Sequence, residues 1–235
     1  MTTPLPEPDE PAPGADVDDT DGSPGRRIGG RSLRERQVER REAVLAAGLD
    51  LFGTQGYAAT TVDQVCRRAG VSTRSFYEEF ENRLALLAAL GERIAAQAFT
   101  AFTAARPEPA AHRLHARVAA LVHALVDDPR VARIAFVESL ALDATGGTRR
   151  RDLLAVFPEW ITVYLTDRFD ARDLPPPRRR ALAVAASGAT AALMTEWTVT
   201  GIDQRGTIDE LVDDVVDTTA TILGVTAERS HRRTR

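Results

Sequence analysis

Apolar residues recur at helical spacing along most of this chain, and prolines and glycines divide it into separate stretches. No stretch shows the sustained alternation of apolar and polar residues, rich in β-branched side chains, that is typical of strands. No repeat at a fixed period is present. The predicted helices span residues 33–54, 61–69, 73–80, 82–105, 110–126, 130–142, 148–169, 177–199 and 207–223. The pattern therefore predicts an all-α protein with about nine helices.

Composition narrows the class of protein further. The 235 residues are 43% hydrophobic, enough for an ample core, but only 6% aromatic, so small aliphatic side chains must fill that core. Charged residues such as Arg93 and Glu196 interrupt the longest apolar runs, and the acidic, proline-rich N-terminus is unlike a signal peptide. We therefore expect a cytoplasmic protein that makes no contact with a membrane.

The single cysteine, Cys66, excludes an internal disulfide and a cysteine-based zinc site. Its expected role is that of a small buried hydrophobic residue rather than a redox sensor.

Charge is unevenly distributed near the N-terminus. Residues 1–25 contain seven acidic residues and no arginine, whereas residues 26–41 contain seven arginines. The segment 1–30 is too polar and proline-rich to offset the entropy of ordering it, so we predict a disordered acidic tail whose basic arm begins at residue 26. The arm favours an anionic partner, and a merely solvated arm is the alternative. Residues 227–235 are predicted to form a flexible basic C-terminus.

The segment 61–80 predicts two short helices joined by a turn. Thr61 can cap the first helix, Gly70 ends it, and Ser72 can cap the second. A helix–turn–helix of this kind places its second helix in the DNA major groove, although helical bundles that bind nothing contain similar pairs.

Three residues on the second helix have side chains suited to DNA. Thr73 and Arg74 lie on its first exposed turn and can reach base edges, and the Tyr77 hydroxyl can reach a phosphate. The alternatives are that Arg74 is a solvated helix residue and that Tyr77 is a half-exposed core aromatic.

Residues 34–90 resemble the DNA-binding domain of TetR-family transcriptional regulators. The resemblance rests on Phe52, Gly56-Tyr57, Thr60-Thr61, Ala69-Gly70-Val71-Ser72, Phe76-Tyr77, Phe80 and Leu84, whose order and spacing agree with the family throughout. It implies a DNA-binding domain over 31–83 and a larger helical domain over 84–226 for ligand binding and dimerisation.

The same resemblance implies roles for individual residues. The helix that starts at Thr61 would set its N-terminus against a phosphate, and Ser72 would lie near the floor of the groove. Thr73 and Arg74 would read bases, while Tyr77 would hold a phosphate. Arg83 stands where the family usually has lysine and would bind a phosphate as well.

In the family, the last two long helices pair with their copies in a homodimer. Here the helix 177–199 is rich in small residues, which permit close helix approach, and the helix 207–223 carries a stripe too broad for a lone surface helix. The sequence thus predicts a homodimer interface, with burial inside one chain as the alternative. A homodimer would bind double-stranded DNA at a pseudo-palindromic operator.

Large side chains in the middle helices predict an apolar pocket for an unknown small molecule. The aromatic candidates are Phe99, Phe102, Phe136, Phe157, Trp160, Tyr164 and Trp197, with Met194 beside them. His123, Glu138 and Glu196 would supply its polar groups. Plain core packing is the alternative for each aromatic.

We predict no catalytic residue, no cofactor and no metal. The chain has no phosphate-binding glycine loop and no nucleophile elbow. His112 and His115 have a chelating spacing, but His123 is about 16 Å further along the helix axis, too far to complete the site.

The sequence thus predicts a homodimeric DNA-binding regulator, most readily a repressor that a ligand releases from its operator. The alternative is a helical scaffold protein with a vestigial helix–turn–helix, which the acidic tail and Glu78, Glu79 and Glu81 favour. Salt discriminates between them, because binding to DNA weakens steeply as salt rises.

Overall fold

The structure is a computed structural model that describes residues 33–105, 113–142, 149–168, 174–200 and 206–224. Within these ranges the chain forms nine α-helices, one 3₁₀ helix and no strand, which confirms the all-α class. The α-helices are α1 (Leu33–Thr54), α2 (Val62–Ala69), α3 (Thr73–Glu79), α4 (Arg83–Ala104), α5 (Arg113–Val126), α6 (Pro129–Phe136), α7 (Arg149–Arg168), α8 (Pro176–Val199) and α9 (Ile208–Leu223). The 3₁₀ helix, Glu138–Leu142, follows α6.

The chain divides into two units between Gln37 and Val38. Of the first unit, the structure describes the helical residues Leu33–Gln37, and all that follows concerns the second. The predicted tail 1–30 with its basic arm, the predicted C-terminus 227–235 and His112 lie outside the described residues.

Capping residues explain where several helices begin. The side chain of Asn82 accepts from the backbone N–H of Ala85 at 2.9 Å at the start of α4. Thr207 and Glu210 form a reciprocal capping box at the start of α9. These local signals lie in the sequence itself, and the predicted ends of both helices agree with the observed ends to within a residue.

The prediction of one helix over 130–142 was wrong. The helix starts at Pro129, with the Asp128 side chain capping it, and ends at Phe136. After Val137 the chain tightens into the 3₁₀ helix Glu138–Leu142. The Glu138 carboxylate accepts a hydrogen bond from the backbone N–H of Tyr57, 81 residues away, so a distant contact holds the segment where the helix breaks.

Helix α4 runs through the core and packs against α5, α6 and α7. It buries one continuous face that comprises Leu86, Leu87, Leu90, Ile94, Ala98 and Phe102. Contrary to the sequence analysis, α4 is long and apolar enough to cross a membrane, the one such helix among the described residues. A single helix of this kind is weak evidence, because a core helix passes the same test.

The apolar stripe of α9 is buried within this chain. Leu211, Val212, Val215 and Val216 are each less than 5% exposed, in the region where α9 packs against α5 and α8. This stripe therefore gives no support to a dimer. The exposed residues Ala181, Val184, Ala185, Gly188 and Ala192 form a separate row of small side chains along α8.

Candidate nucleic-acid interface

Helices α2 and α3 form the helix–turn–helix that the segment 61–80 predicts. Thr61 caps α2: its hydroxyl accepts from the backbone N–H of Gln64 at 3.2 Å, while the Gln64 side chain accepts from the Thr61 N–H at 2.7 Å. Gly70 ends α2 with φ at +67°, in the left-handed region. The next N–H, that of Val71, donates to the carbonyl oxygen of Cys66 at 3.1 Å, which fixes the turn between the helices.

Aromatic packing sets the orientation of α3. Phe76 is fully buried and Phe80 nearly so, with ring centroids 6.0 Å apart. Tyr77, one position after Phe76, turns outward and is 55% exposed. Because one face of α3 is anchored in this way, the opposite face is presented to solvent in a fixed orientation.

The predicted base-reading residues lie on that outward face. Thr73 and Arg74 are exposed on the first turn of α3, and 89% of the Arg74 side chain is accessible. Its Nε lies 3.2 Å from a carboxylate oxygen of Glu78, one turn along the helix. An exposed pair of this kind contributes little stability, so Arg74 can exchange Glu78 for a base edge at small cost.

Ser72 caps α3 and is held in place by Ser75. Its hydroxyl oxygen accepts from the backbone N–H of Ser75 at 3.1 Å and lies 2.9 Å from the Ser75 hydroxyl. Ser72 is exposed, as its predicted position near the groove requires.

The Arg83 side chain bonds to groups of this chain itself. Its Nη1 donates to the carbonyl oxygens of Tyr57, at 3.0 Å, and of Thr60, and its guanidinium lies 4.9 Å from the centre of the Tyr57 ring. The residue therefore fastens the start of α4 to the turn between α1 and α2. Its predicted phosphate contact stays a prediction.

Only part of the acidic cluster after Tyr77 faces solvent. The Glu79 side chain is 3% exposed and lies 3.7 Å from Nη2 of Arg40. Arg41 donates to the Glu79 carbonyl oxygen at 3.1 Å and stacks over the Phe80 ring. Glu79 thus points inward, away from the exposed face of α3, and only Glu78 and Glu81 are exposed there.

Cys66 lies under α3 and is 4% exposed. Burial raises the pKa of the Cys66 thiol above its ordinary value, although a hydrogen bond with the Thr73 side chain opposes that rise. The thiol is therefore protonated at neutral pH.

A cavity of about 260 Å³ lies among α4, α5, α6, α7 and α8. Five of the predicted pocket residues line it: Phe102, Phe136, Phe157, Trp160 and Met194. Most of the wall is apolar. An apolar cavity between helices is the usual form of a small-molecule site.

The other six candidates lie elsewhere, and Glu196 is exposed on α8. Phe99 stacks on Trp160 at 5.2 Å but faces a separate, open groove, and the His123 ring is bonded to Asp127 at 2.9 Å. Tyr164 is buried beside Arg117, while the indole N–H of Trp197 donates to the Gly206 carbonyl. The Glu138 carboxylate accepts hydrogen bonds from Arg133 and from the backbone N–H of Tyr57.

A contact that the sequence analysis missed joins the segment 129–142 to the end of α1. The Glu138 carboxylate accepts from Nε of Arg133 at 2.8 Å and from the Tyr57 backbone N–H at 2.9 Å. Arg133 also donates to the Thr54 carbonyl oxygen at 2.9 Å. We call the group Thr54, Tyr57, Arg133 and Glu138 the latch.

Close backbone packing supports the latch. A Cβ added to Gly53 would lie 2.7 Å from Cα of Arg130, closer than side chains tolerate, so α1 and α6 approach each other only because residue 53 is glycine. The Arg130 guanidinium bonds to the α6 cap, Asp128, and holds the pKa of that carboxyl below its ordinary value. No local sequence pattern reveals the contacts between the end of α1 and the segment 129–142, because those partners are about 80 residues apart.

Comparison with known proteins supports the same domain. Residues 44–90 match the family model described as "Bacterial regulatory proteins, tetR family". No curated protein has a sequence that matches this chain.

Several solved structures share the fold. A TetR-family transcriptional regulator from Pectobacterium atrosepticum is 23% identical, covering 84% of this chain and 99% of its own, with a TM-score of 0.63. The fatty acid degradation regulator FadR from Bacillus halodurans is 17% identical, covering 81% and 97%, with a TM-score of 0.61. SmeT, a repressor of a multidrug efflux pump in Stenotrophomonas maltophilia, is 19% identical, covering 77% and 88%, with a TM-score of 0.57. These matches confirm the resemblance found in residues 34–90.

Proposed function

We propose that this chain, whose residues 44–90 match the tetR family model and whose fold is that of TetR-family structures, is a homodimeric transcriptional repressor that a small apolar ligand releases from its operator. The observation that carries the proposal is the outward face of α3, where exposed Thr73, Arg74 and Tyr77 stand on a helix anchored by Phe76. Repression is favoured by SmeT, which shares the fold and is named a repressor.

On the DNA, α3 enters the major groove. Thr73 and Arg74 read base edges, and the Tyr77 hydroxyl donates to a phosphate. The capped N-terminus of α2, at Thr61, faces a second phosphate, because free backbone N–H groups at a helix start attract anions. Ser72 lies near the groove floor, and Arg83 binds a phosphate with the part of its guanidinium that does not hold the turn.

Two copies bind one operator. The exposed row of Ala181, Val184, Ala185, Gly188 and Ala192 on α8 supports close packing against the same helix of a second copy. A symmetric dimer places its two α3 helices about 34–36 Å apart, one turn of DNA, and therefore recognises a pseudo-palindrome.

Ligand release is supported by the position of the segment 129–142. Its Ile134, Phe136 and Ser139 line the cavity, while Arg133 and Glu138 in the same segment bond to the end of α1. A ligand that reshapes the cavity wall shifts this segment and with it the DNA-binding helices. It thereby favours a conformation whose spacing does not fit the operator. The proposal includes no catalytic step and places the protein in the cytoplasm.

The test is a selection from a randomised DNA library, followed by anisotropy titrations with the selected site. We expect a pseudo-palindromic site bound by two copies, competitor-resistant and weaker at higher salt. Failure to select any site, or binding that salt leaves unchanged, would contradict the proposal and favour a scaffold that binds through apolar helix faces.

A further inference from the structure

Arg117 on α5 is a buried charge that lacks an anionic partner among the described residues. It is 8% exposed, and its guanidinium carbon lies 5.5 Å from the centre of the Phe102 ring and 5.6 Å from that of Tyr164. Its Nε is buried and has no hydrogen-bond partner. In the part of the chain that the structure describes, no carboxylate forms an ion pair with it.

The two aromatic rings account for only part of this environment. They attract the cation through their faces but offer no oxygen or nitrogen acceptors to its N–H groups. An arginine cannot escape the cost of burial by losing its proton, and buried charges in proteins are normally paired. The site is therefore complete only when an anion joins it.

The position of Arg117 relates it to the apolar cavity. Phe102, which contacts the guanidinium, also lines the cavity. Leu121, one turn after Arg117 on α5, and Trp160, one turn before Tyr164 on α7, line it too. Because residues four apart share a helix face, Arg117 and Tyr164 continue the faces of Leu121 and Trp160, but Arg117 itself does not line the cavity and its guanidinium lies behind the Phe102 ring.

The cavity wall itself has little to offer a charged group. The hydroxyls of Ser139 and Ser187 donate to the backbone carbonyl oxygens of Ala135 and Ala183, both at 2.8 Å, and Thr190 adds a third hydroxyl to the wall. The body of a ligand thus meets a mostly apolar surface, and its polar end reaches the Arg117 donors where the Phe102 ring moves aside.

We propose that this site binds an amphiphilic monocarboxylate, with its apolar body in the cavity and its carboxylate on Arg117. The inference rests on the proposed function in taking the cavity as the ligand site. Benzene fills an engineered cavity of about 150 Å³, so a cavity of about 260 Å³ holds a body of roughly ten non-hydrogen atoms. The planar guanidinium matches a carboxylate with two parallel hydrogen bonds.

The test uses the full-length protein without DNA and two probes of nearly equal size, octanoate and 1-octanol, in isothermal titration calorimetry. We expect octanoate to bind at least about tenfold more tightly than 1-octanol. Arg117→Met keeps an apolar side chain and removes the charge, so it is expected to weaken octanoate by about tenfold or more and leave 1-octanol unchanged. Arg178→Met, which removes an exposed arginine at the start of α8, is the charge-matched control and is expected to change neither affinity.

Stability gives a second readout. Because the charge of Arg117 is unpaired in the free protein, Arg117→Met is expected to unfold at the same temperature as the wild type or higher. If Arg117→Met does not fold, Arg117→Lys decides: a retained charge is expected to preserve the preference for octanoate over 1-octanol, and loss of that preference with the charge present overturns the inference.

Equal binding of the two probes, binding of neither, or undiminished octanoate binding by Arg117→Met would each overturn it. Since no DNA is present, the result is independent of the operator. If octanoate binding depends on Arg117 but the library selection yields no operator, the result contradicts the proposed repressor function and leaves this inference standing. Operator release by a ligand without a preference for carboxylates contradicts this inference alone.

Discussion

At the residue scale, the outward side chains of α3 were predictable because their alternation with buried aromatics is local. Phe76 and Phe80 lie four positions apart on one face, so Arg74 and Tyr77 must fall elsewhere on the helix. Thr73 shares the face of the two phenylalanines by spacing, and it is exposed because it stands on the first turn. The inward position of Glu79 was not predictable, because it depends on Arg40 and Arg41 from α1. Sequence spacing assigns a residue to a helix face, but the neighbouring element decides whether that face is buried.

Arg74→Ala is expected to weaken operator binding by ~1–3 kcal/mol and to relax the preference at one base pair, because one base contact is lost. Anisotropy titration and a repeated library selection measure the two effects. Arg67→Ala is the matched control: Arg67 is also exposed and also pairs with an acid one turn away, Asp63, but it lies on α2. A change of base preference in the control rather than in Arg74→Ala would show that α3 is not the reading helix.

Tyr77→Phe is expected to weaken binding to the selected site and to unrelated DNA alike, about fivefold, because it removes about 1 kcal/mol of net hydrogen bonding to a phosphate. The ratio of the two affinities should stay constant, and the buried packing of Phe76 should be unaffected. A changed ratio would mean that the hydroxyl contacts a base.

Cys66 gives a pH prediction. Its pKa is raised by burial, so the thiolate is favoured in the unfolded chain relative to the folded one. The contribution to stability is complete below the ordinary thiol pKa of about 8.5 and declines as the pH rises above it. Urea denaturation of the wild type and of Cys66→Ala is therefore expected to show a loss of stability at alkaline pH that is smaller in the variant. Equal losses would contradict the assignment.

At the element scale, helix ends were predictable where a cap is encoded in adjacent residues, as at Asn82 and Thr207. The break after Phe136 was not, because it is held by the bond between Glu138 and the Tyr57 N–H. The same reasoning applies to the α9 stripe, which was predicted to be apolar: its periodicity does not say whether α5 and α8 or a second copy covers it.

Gly70 tests the turn between α2 and α3. Its φ of +67° disfavours any residue with a Cβ, although a Cβ there would meet no atom within 4 Å. Gly70→Ala is therefore expected to lower the free energy of unfolding by ~1–2 kcal/mol from backbone strain alone. Gly70→Asn is expected to lose less, because asparagine tolerates the left-handed conformation. Urea denaturation measures both, and equal losses would point to a steric cause.

At the scale of the whole molecule, the contacts between distant segments were not predictable from local patterns, and the cavity illustrates this. The aromatic candidates were chosen by size, and four of them line the cavity, but which ones do so depends on how α4, α5 and α7 pack together. Arg117 has no distinguishing sequence pattern, and only its burial between two rings draws attention to it.

The proposed dimer leads to a prediction at this scale. Ala185→Arg places a charge in the exposed row on α8 and is expected to raise the dimer dissociation constant by at least about tenfold, because it buries an unpaired charge. Sedimentation velocity measures the change. Ala104→Arg, at an exposed position near the end of α4, is the control and should leave the dimer intact. Unchanged association in both variants would place the interface elsewhere.

The latch has a consequence for anyone who recombines this protein with a relative. A chimera that joins residues 1–83 to a foreign sensor at the start of α4 separates Thr54 and Tyr57 from the Arg133 and Glu138 that bond to them. Such a hybrid is expected to keep its DNA specificity, but binding of the new inducer would not change its affinity for DNA. The unit to transfer is therefore not contiguous in sequence: α6 and the 3₁₀ helix have to be transferred together with residues 1–83.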